Sequence, residues 1–282
     1  MDEFPRTTVG GISMPRLICG CNSILGYSHI SHARDKHIKE LFDKPSKMAN
    51  VVEVFARRGC NAFLSGPTEF VHQAITDVEQ RTGKPMLWMA TPGGGNLDEW
   101  KKAVDQCKAW RVTICLPHQS VTDPRLDRLT SRLGPQLIEY LSYVRQAGML
   151  PGLSTHTPES ITFTDNTPEA DVETYIQPYN AAGFYCQVET DWLAWIIRNA
   201  KRPVTVIKPL ASGKLLPPTG LTFVWNTIRE CDMVAIGTMS VYEAEEDIEL
   251  SMSILARRAA EIKLQVTRSK ETLMPRRAEG ST

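Results

Sequence analysis

A chain of 282 residues, 42% hydrophobic and 23% charged, is long enough to bury one large core or two ordinary ones. Its 32 basic residues balance 32 acidic ones, so no bulk field draws it to nucleic acid or to an anionic membrane. No window reaches the ~18 uninterrupted apolar residues of a spanning helix, and a start holding Asp2, Glu3 and Pro5 does not read as a secretory signal.

Short apolar runs alternate with amphipathic stretches along the chain. The first run, "RLICG" (16–20), leads into a polar segment with His29, His32 and His37, then "SKMANVVEVFARRG", which stops at Gly59. "NAFLSG" precedes "TEFVHQAITDVEQRTG", which stops at Gly83, and "PMLWMAT" precedes "NLDEWKKAVDQCKAW", which opens on an Asn cap with acids in its first turn. "RVTICLP" is followed by "GPQLIEYLSYVRQAG", and "MLPGLST" by a region with only scraps of helical pattern. "YIQPYN", "PVTVIKPL" and "MVAIGT" follow, each with a helical stretch after it; the last of these, "SVYEAEEDIELSMSILARRAAEIKLQ", predicts a helix to about residue 265.

Eight buried-strand candidates, each with a helical region after it at roughly thirty-residue intervals, are the pattern of an α/β protein with a single (β/α)8 barrel. An open doubly wound sheet more often shows a glycine-rich phosphate loop after its first strand, and "CGCNSILG" is not G-x-G-x-x-G. The barrel is expected over residues 1–266, with 267–282 a polar, basic tail that frays. Seven cysteines on apolar runs or helical patterns, an odd number, read as reduced, buried thiols of a cytoplasmic protein.

In such barrels the chemistry sits where the strands end. His118 and His156 each follow a strand directly and could move protons, or bind a divalent metal together with a cysteine or carboxylate. Lys208 ends an apolar strand, where it could stabilise a developing oxyanion, bind an acid group or form a Schiff base. Asn22 and His29 on the first loop, and Tyr179 after the sixth strand, are candidate substrate contacts. The spacing of His29, His32 and His37 matches no standard ligand motif, so a histidine-only metal site in that loop is not expected.

"VTVIKPLASGKL" followed by "TFVWNTIRECDMVAIGTMSVYEAEEDIELSM" resembles the aldo-keto reductases, as do "YLSYVRQAGMLPGLSTHTPESI" and the opening "TVGGISMPRLICG". "CNSILGYSHIS" is similar to a segment of bacterial aldo-keto reductase-like proteins, which adds Tyr27 to Asn22 and His29 as substrate contacts. The resemblance implies a nicotinamide site at Ser154, Gln177 and Ser240, with Glu246 and Asp247 beyond it. It also implies a catalytic tetrad, three of whose positions differ: Leu64 stands for the aspartate, no tyrosine follows it (Glu69 lies nearby), and Thr91 and Pro92 end the third strand without a lysine. Only the histidine has a counterpart, His118. The acidic or neutral "VYEAE" in place of a basic residue disfavours NADP.

With the tetrad changed, the leading expectation is an isomerase or lyase acting on a small carbohydrate-like or carbonyl substrate through His118, His156 and Lys208. The alternative is a nicotinamide oxidoreductase with a replaced tetrad and Lys208 or Tyr179 as proton donor, and a third reading is a non-catalytic barrel subunit. The cofactor is left undetermined, and so is the oligomeric state.

Overall fold

A computed structural model describes residues 3–265 together with 267, 270 and 273. Most of the expected tail therefore lies outside the described residues. A hairpin of β1 (Arg6–Val9) and β2 (Ile12–Pro15) precedes the main sheet, which starts with β3 (Leu17–Gly20). Then come α1 (Asn22–Leu25), α2 (His32–Leu41), α3 (Pro45–Arg57), β4 (Ala62–Ser65), α4 (Glu69–Thr82), β5 (Leu87–Ala90) and α5 (Leu97–Ala109). After β6 (Ile114–Cys115) the chain forms α6 (Gln119–Thr122), a small hairpin of β7 (Leu126–Asp127) and β8 (Arg132–Leu133), and α7 (Pro135–Gln146). The remainder is β9 (Leu150–Pro151), β10 (Leu153–Ser154), α8 (Glu159–Asp165), β11 (Tyr175–Pro178), α9 (Thr190–Asn199), β12 (Val204–Ile207), α10 (Pro217–Thr227), β13 (Met233–Gly237) and α11 (Val241–Leu255).

The main sheet is parallel throughout, in the order β10-β11-β12-β13-β3-β4-β5-β6-β9. Its two ends, β9 and β10, are halves of one strand separated only by Gly152, so the eight-stranded sheet closes on itself. A Cβ on Gly152 would lie 2.7 Å from Leu116 Cδ2 and from the Thr174 carbonyl oxygen, which explains why glycine stands at the seam. Inward residues such as Ile18, Leu64, Met89, Leu116 and Ile176 fill the barrel, and Val9 and Met14 of the hairpin join them. A larger core packs the outer strand faces against the helices.

Local signals set the helix ends. Thr68 and Asn96 accept from the backbone N–H groups of Val71 and Glu99, and Gly59, Gly83 and Gly148 take left-handed φ values of 83°, 66° and 87°. The last helix is shorter than its pattern predicts: it stops at Leu255, where Arg257 turns left-handed (φ 52°) and Glu249 binds both Arg258 and the Glu261 N–H. The first loop is also more ordered than its polarity implies, because Ser31 caps α2 by accepting from the Arg34 N–H. Among the described residues no helix is long and apolar enough to cross a membrane.

Asp247 of α11 is buried, with no hydrogen-bond or ion partner among the described residues. Burial, with Glu243 and Glu246 nearby, raises its pKa to about 7. A carboxyl raised this way leaves stability intact below the unfolded-state pKa and removes it as pH rises towards 7, a penalty on the order of 3 kcal/mol above that. Asp247→Asn is therefore expected to stabilise the protein by about 2 kcal/mol at pH 8 in urea unfolding, with the gain shrinking as pH falls towards 4.

Candidate active site

The strand ends bring Lys208 and three histidines into one electrostatic neighbourhood. Alternation along β12 sends Val204 and Val206 outward and Ile207 inward. Lys208 then takes a left-handed φ of 59°, and the Ala211 N–H donates to its carbonyl. Its ammonium lies 3.0 Å from His29 Nε2 and 5.0 Å from the centre of the Tyr185 ring. No carboxylate offsets its desolvation, and burial draws its pKa down to about 8.

His29 has a left-handed backbone as well (φ 56°), with Asn22 Nδ2 3.5 Å from its Nε2. Since Lys208 donates, Nε2 of His29 accepts and its proton belongs on Nδ1. Burial and then the Lys208 charge hold His29 below the usual imidazole range. His156, just past β10, is lowered to about 4 by burial, then Lys208, then the other two histidines. At neutral pH it is uncharged.

His118 caps α6: its Nδ1 accepts from the Ser120 N–H and lies 2.8 Å from Ser120 Oγ. That leaves the neutral ring's proton on Nε2. Burial lowers its pKa and Asp123 opposes the shift. Asp123 is itself raised by burial, and its oxygens accept from Thr155 Oγ1 (2.6 Å) and the His156 N–H (3.1 Å). One carboxylate thus ties the turn after β6 to the turn after β10.

Tyr185 joins these groups. Its ring centre lies 5.4 Å from that of His29, 5.5 Å from His156 and 4.7 Å from Phe184. The loop that carries it is built by Asn180, fully buried, whose side chain binds both the N–H and the carbonyl of Phe184. Tyr185 and Gln187 pay with left-handed φ values of 61° and 57°. Lys214 sits 3.6 Å over the Phe184 ring. Neither Tyr185 nor Asp123 was singled out from sequence; the visible signal for the first was an adjacent aromatic pair in the small, polar loop "NAAGFYCQ".

Other predicted contacts lie elsewhere. Tyr179 is turned out of the barrel and packs on Phe223, 5.2 Å between ring centres, because the strand's alternation puts it on the same side as Tyr175. Gln177 pairs in register with outward Val206, buried with its Oε1 unbonded, so it faces the helix layer. Tyr27 is 57% exposed and lies under Lys39. The Ser240 hydroxyl caps α11 by accepting from the Glu243 N–H, while the Glu243 carboxylate accepts from the Met239 N–H. Among the described residues no group of three or more His, Cys, Asp or Glu is arranged to hold a metal. His32 and His37 lie on α2.

The features that suit a nicotinamide are few and local. Ser154 shares register with inward-facing Ile176, and its hydroxyl makes no hydrogen bond among the described residues. Gly20 and Gly237, paired in register, end β3 and β13 side by side. A Cβ on Gly237 would come within 2.6 Å of Ser23 Oγ, so the start of α1 packs against the end of β13 only with glycine there. Next to it the Thr238 Oγ1 is buried without a partner.

No family model and no curated protein matches the sequence. Solved structures do. A putative aldo-keto reductase from Pseudomonas aeruginosa aligns with TM-score 0.64 at 14% identity, over 90% of this chain and 98% of that one. A Bombyx mori aldo-keto reductase in complex with NADP gives 0.59 at 13%, over 96% and 98%. One from Brucella melitensis gives 0.59 at 11%, over 91% and 98%. The chain has the aldo-keto reductase fold. These neighbours, all named as reductases, overturn the expectation of an isomerase or lyase.

The charge coupling can be read directly. Removing the Lys208 charge should raise the His156 pKa above about 4, measured as the imidazole titration by NMR in Lys208→Met. An unmoved His156 would mean that Lys208 does not share its site.

Proposed function

We propose that this protein is a nicotinamide-dependent oxidoreductase that reduces a small carbonyl compound, with Lys208 as the proton donor. The observation that carries the reading is the Lys208 ammonium held 3.0 Å from His29 Nε2 among strand-end groups, with burial drawing its pKa to about 8. An acid near neutrality is charged at pH 7 and still releases its proton readily. The fold of the reductase neighbours supports the redox class, and Leu64 and Thr91 explain why a new donor is needed.

A nicotinamide, when bound, supplies the hydride; Ser154, in register with inward-facing Ile176, is the group suited to hold it. Lys208 has three N–H bonds. One donates to His29, one side of the ammonium faces the Tyr185 ring, and the remaining donor direction serves the substrate oxygen. His29 orients the ammonium without competing for its charge, because its own pKa is lowered. His118 offers a neutral Nε2–H that can polarise the same oxygen. Tyr179, the other donor considered, packs among the outer core and takes no part.

The Glu243 carboxylate on the α11 N-terminus, with Glu245 and Glu246 behind it, opposes a 2′-phosphate and favours NADH over NADPH. All seven cysteines are free and six are buried, which suits a reducing cytoplasm.

Titration of the six tryptophans with each cofactor should give saturable micromolar binding, tighter for NADH; no binding at millimolar cofactor would defeat the reading. With a carbonyl substrate in hand, Lys208→Met should lower kcat/KM at least ~100-fold. Cofactor affinity should hardly change. Reduction should slow as pH rises through about 8, where the donor loses its proton, and oxidation of the alcohol should quicken over the same range.

A further inference from the structure

The helix α9, "TDWLAWIIRN", carries large aromatic side chains on its solvent side as well as apolar ones on its core side. Leu193, Ala194 and Ile197 face the core, as one stripe of an amphipathic helix should. The opposite side carries Trp192 and Trp195, which are 59% and 50% exposed, three residues apart and edge-to-face at 5.9 Å. Its only charges, Asp191 and Arg198, stand near its two ends. Two large aromatic side chains exposed together on the solvent side of a helix form an unusual surface patch.

We infer that the outer face of α9 is the interface of a two-fold symmetric homodimer, with Trp192 and Trp195 of each copy at its centre. Charge placement identifies a second copy as the occupant. Asp191 and Arg198 are seven residues apart, so they lie on one edge of the helix about 10 Å from each other. Neither has an ion partner among the described residues: Asp191 accepts the Trp192 N–H, and Arg198 donates to the Ala194 carbonyl. A two-fold axis running between the two helices, perpendicular to them and level with Trp195, sets each Asp191 against the Arg198 of the antiparallel partner helix. The same axis stacks the tryptophan pairs on each other. An isologous interface needs this self-complementarity, and exposed tryptophan flanked by a polar rim is the composition of an interface centre. An acidic or basic partner of another kind would leave one end of the helix facing like charge.

The test is the mass of the full chain by analytical ultracentrifugation from 1 to 100 µM. The wild type should sediment at twice the chain mass. Trp195→Ala and Trp192→Ala should each weaken the dimer at least ~30-fold, with circular dichroism unchanged. Asp191→Arg alone should dissociate it by opposing Arg198, and so should Arg198→Asp. The doubly exchanged D191R/R198D chain restores opposite charges across the axis and should dimerise again, an outcome that misfolding cannot imitate. A monomeric wild type at 100 µM, a dimer indifferent to both tryptophans, or a double exchange that stays monomeric while folded would each overturn the inference.

Discussion

The groups at the barrel mouth are arranged around one half-buried ammonium that no carboxylate balances. Lys208 is desolvated, and no opposite charge restores its affinity for the proton. Burial lowers the pKa of each of His29, His118 and His156, and the Lys208 charge adds to the shift. The one nearby carboxylate, Asp123, is occupied by Thr155 and the His156 N–H and is itself raised by burial. A salt bridge there would have returned Lys208 to an ordinary, inert surface-like value. Its absence makes a lysine serviceable as an acid near neutral pH.

Three separate loops meet to arrange this, and each spends conformational freedom to do so. His29, Tyr185 and Lys208 all have left-handed backbones, which ordinary residues adopt rarely. They come from the loops after β3, β11 and β12, and their side chains touch one another. Three such residues in mutual contact are hard to explain as accidents of loop closure. Asn180, buried and bonded twice to Phe184, supplies the rigidity that holds Tyr185 in place.

The barrel was legible in the sequence because buried parallel strands and amphipathic helices leave periodic traces, and glycine and asparagine mark their ends. The strand ends followed, so His118, His156 and Lys208 could be placed on one face. What could not be read was direction. Tyr179 and Gln177 lie one or two residues from the end of β11, but alternation turns both outward, and the sequence alone leaves the register of a four-residue strand free by one. Tyr185, by contrast, reaches the mouth through a left-handed turn that no local pattern announces. Asp123 was hidden for a different reason: its partners, Thr155 and His156, are more than thirty residues away.

The resemblance and the chemistry must also be kept apart. Structural likeness at 14% identity or less shows the fold and leaves the reacting groups to be found in the chain itself. Here the inward positions just below the mouth, Leu64 and Leu116, are hydrocarbon and belong to the barrel's apolar filling. The polar groups stand one layer higher, on the loops. An acid carried on a loop, the role proposed for Lys208, must be shielded from water in another way. The Tyr185 ring, 5.0 Å from the Lys208 ammonium and 45% exposed, gives part of that cover, and burial draws the pKa of Lys208 down to about 8.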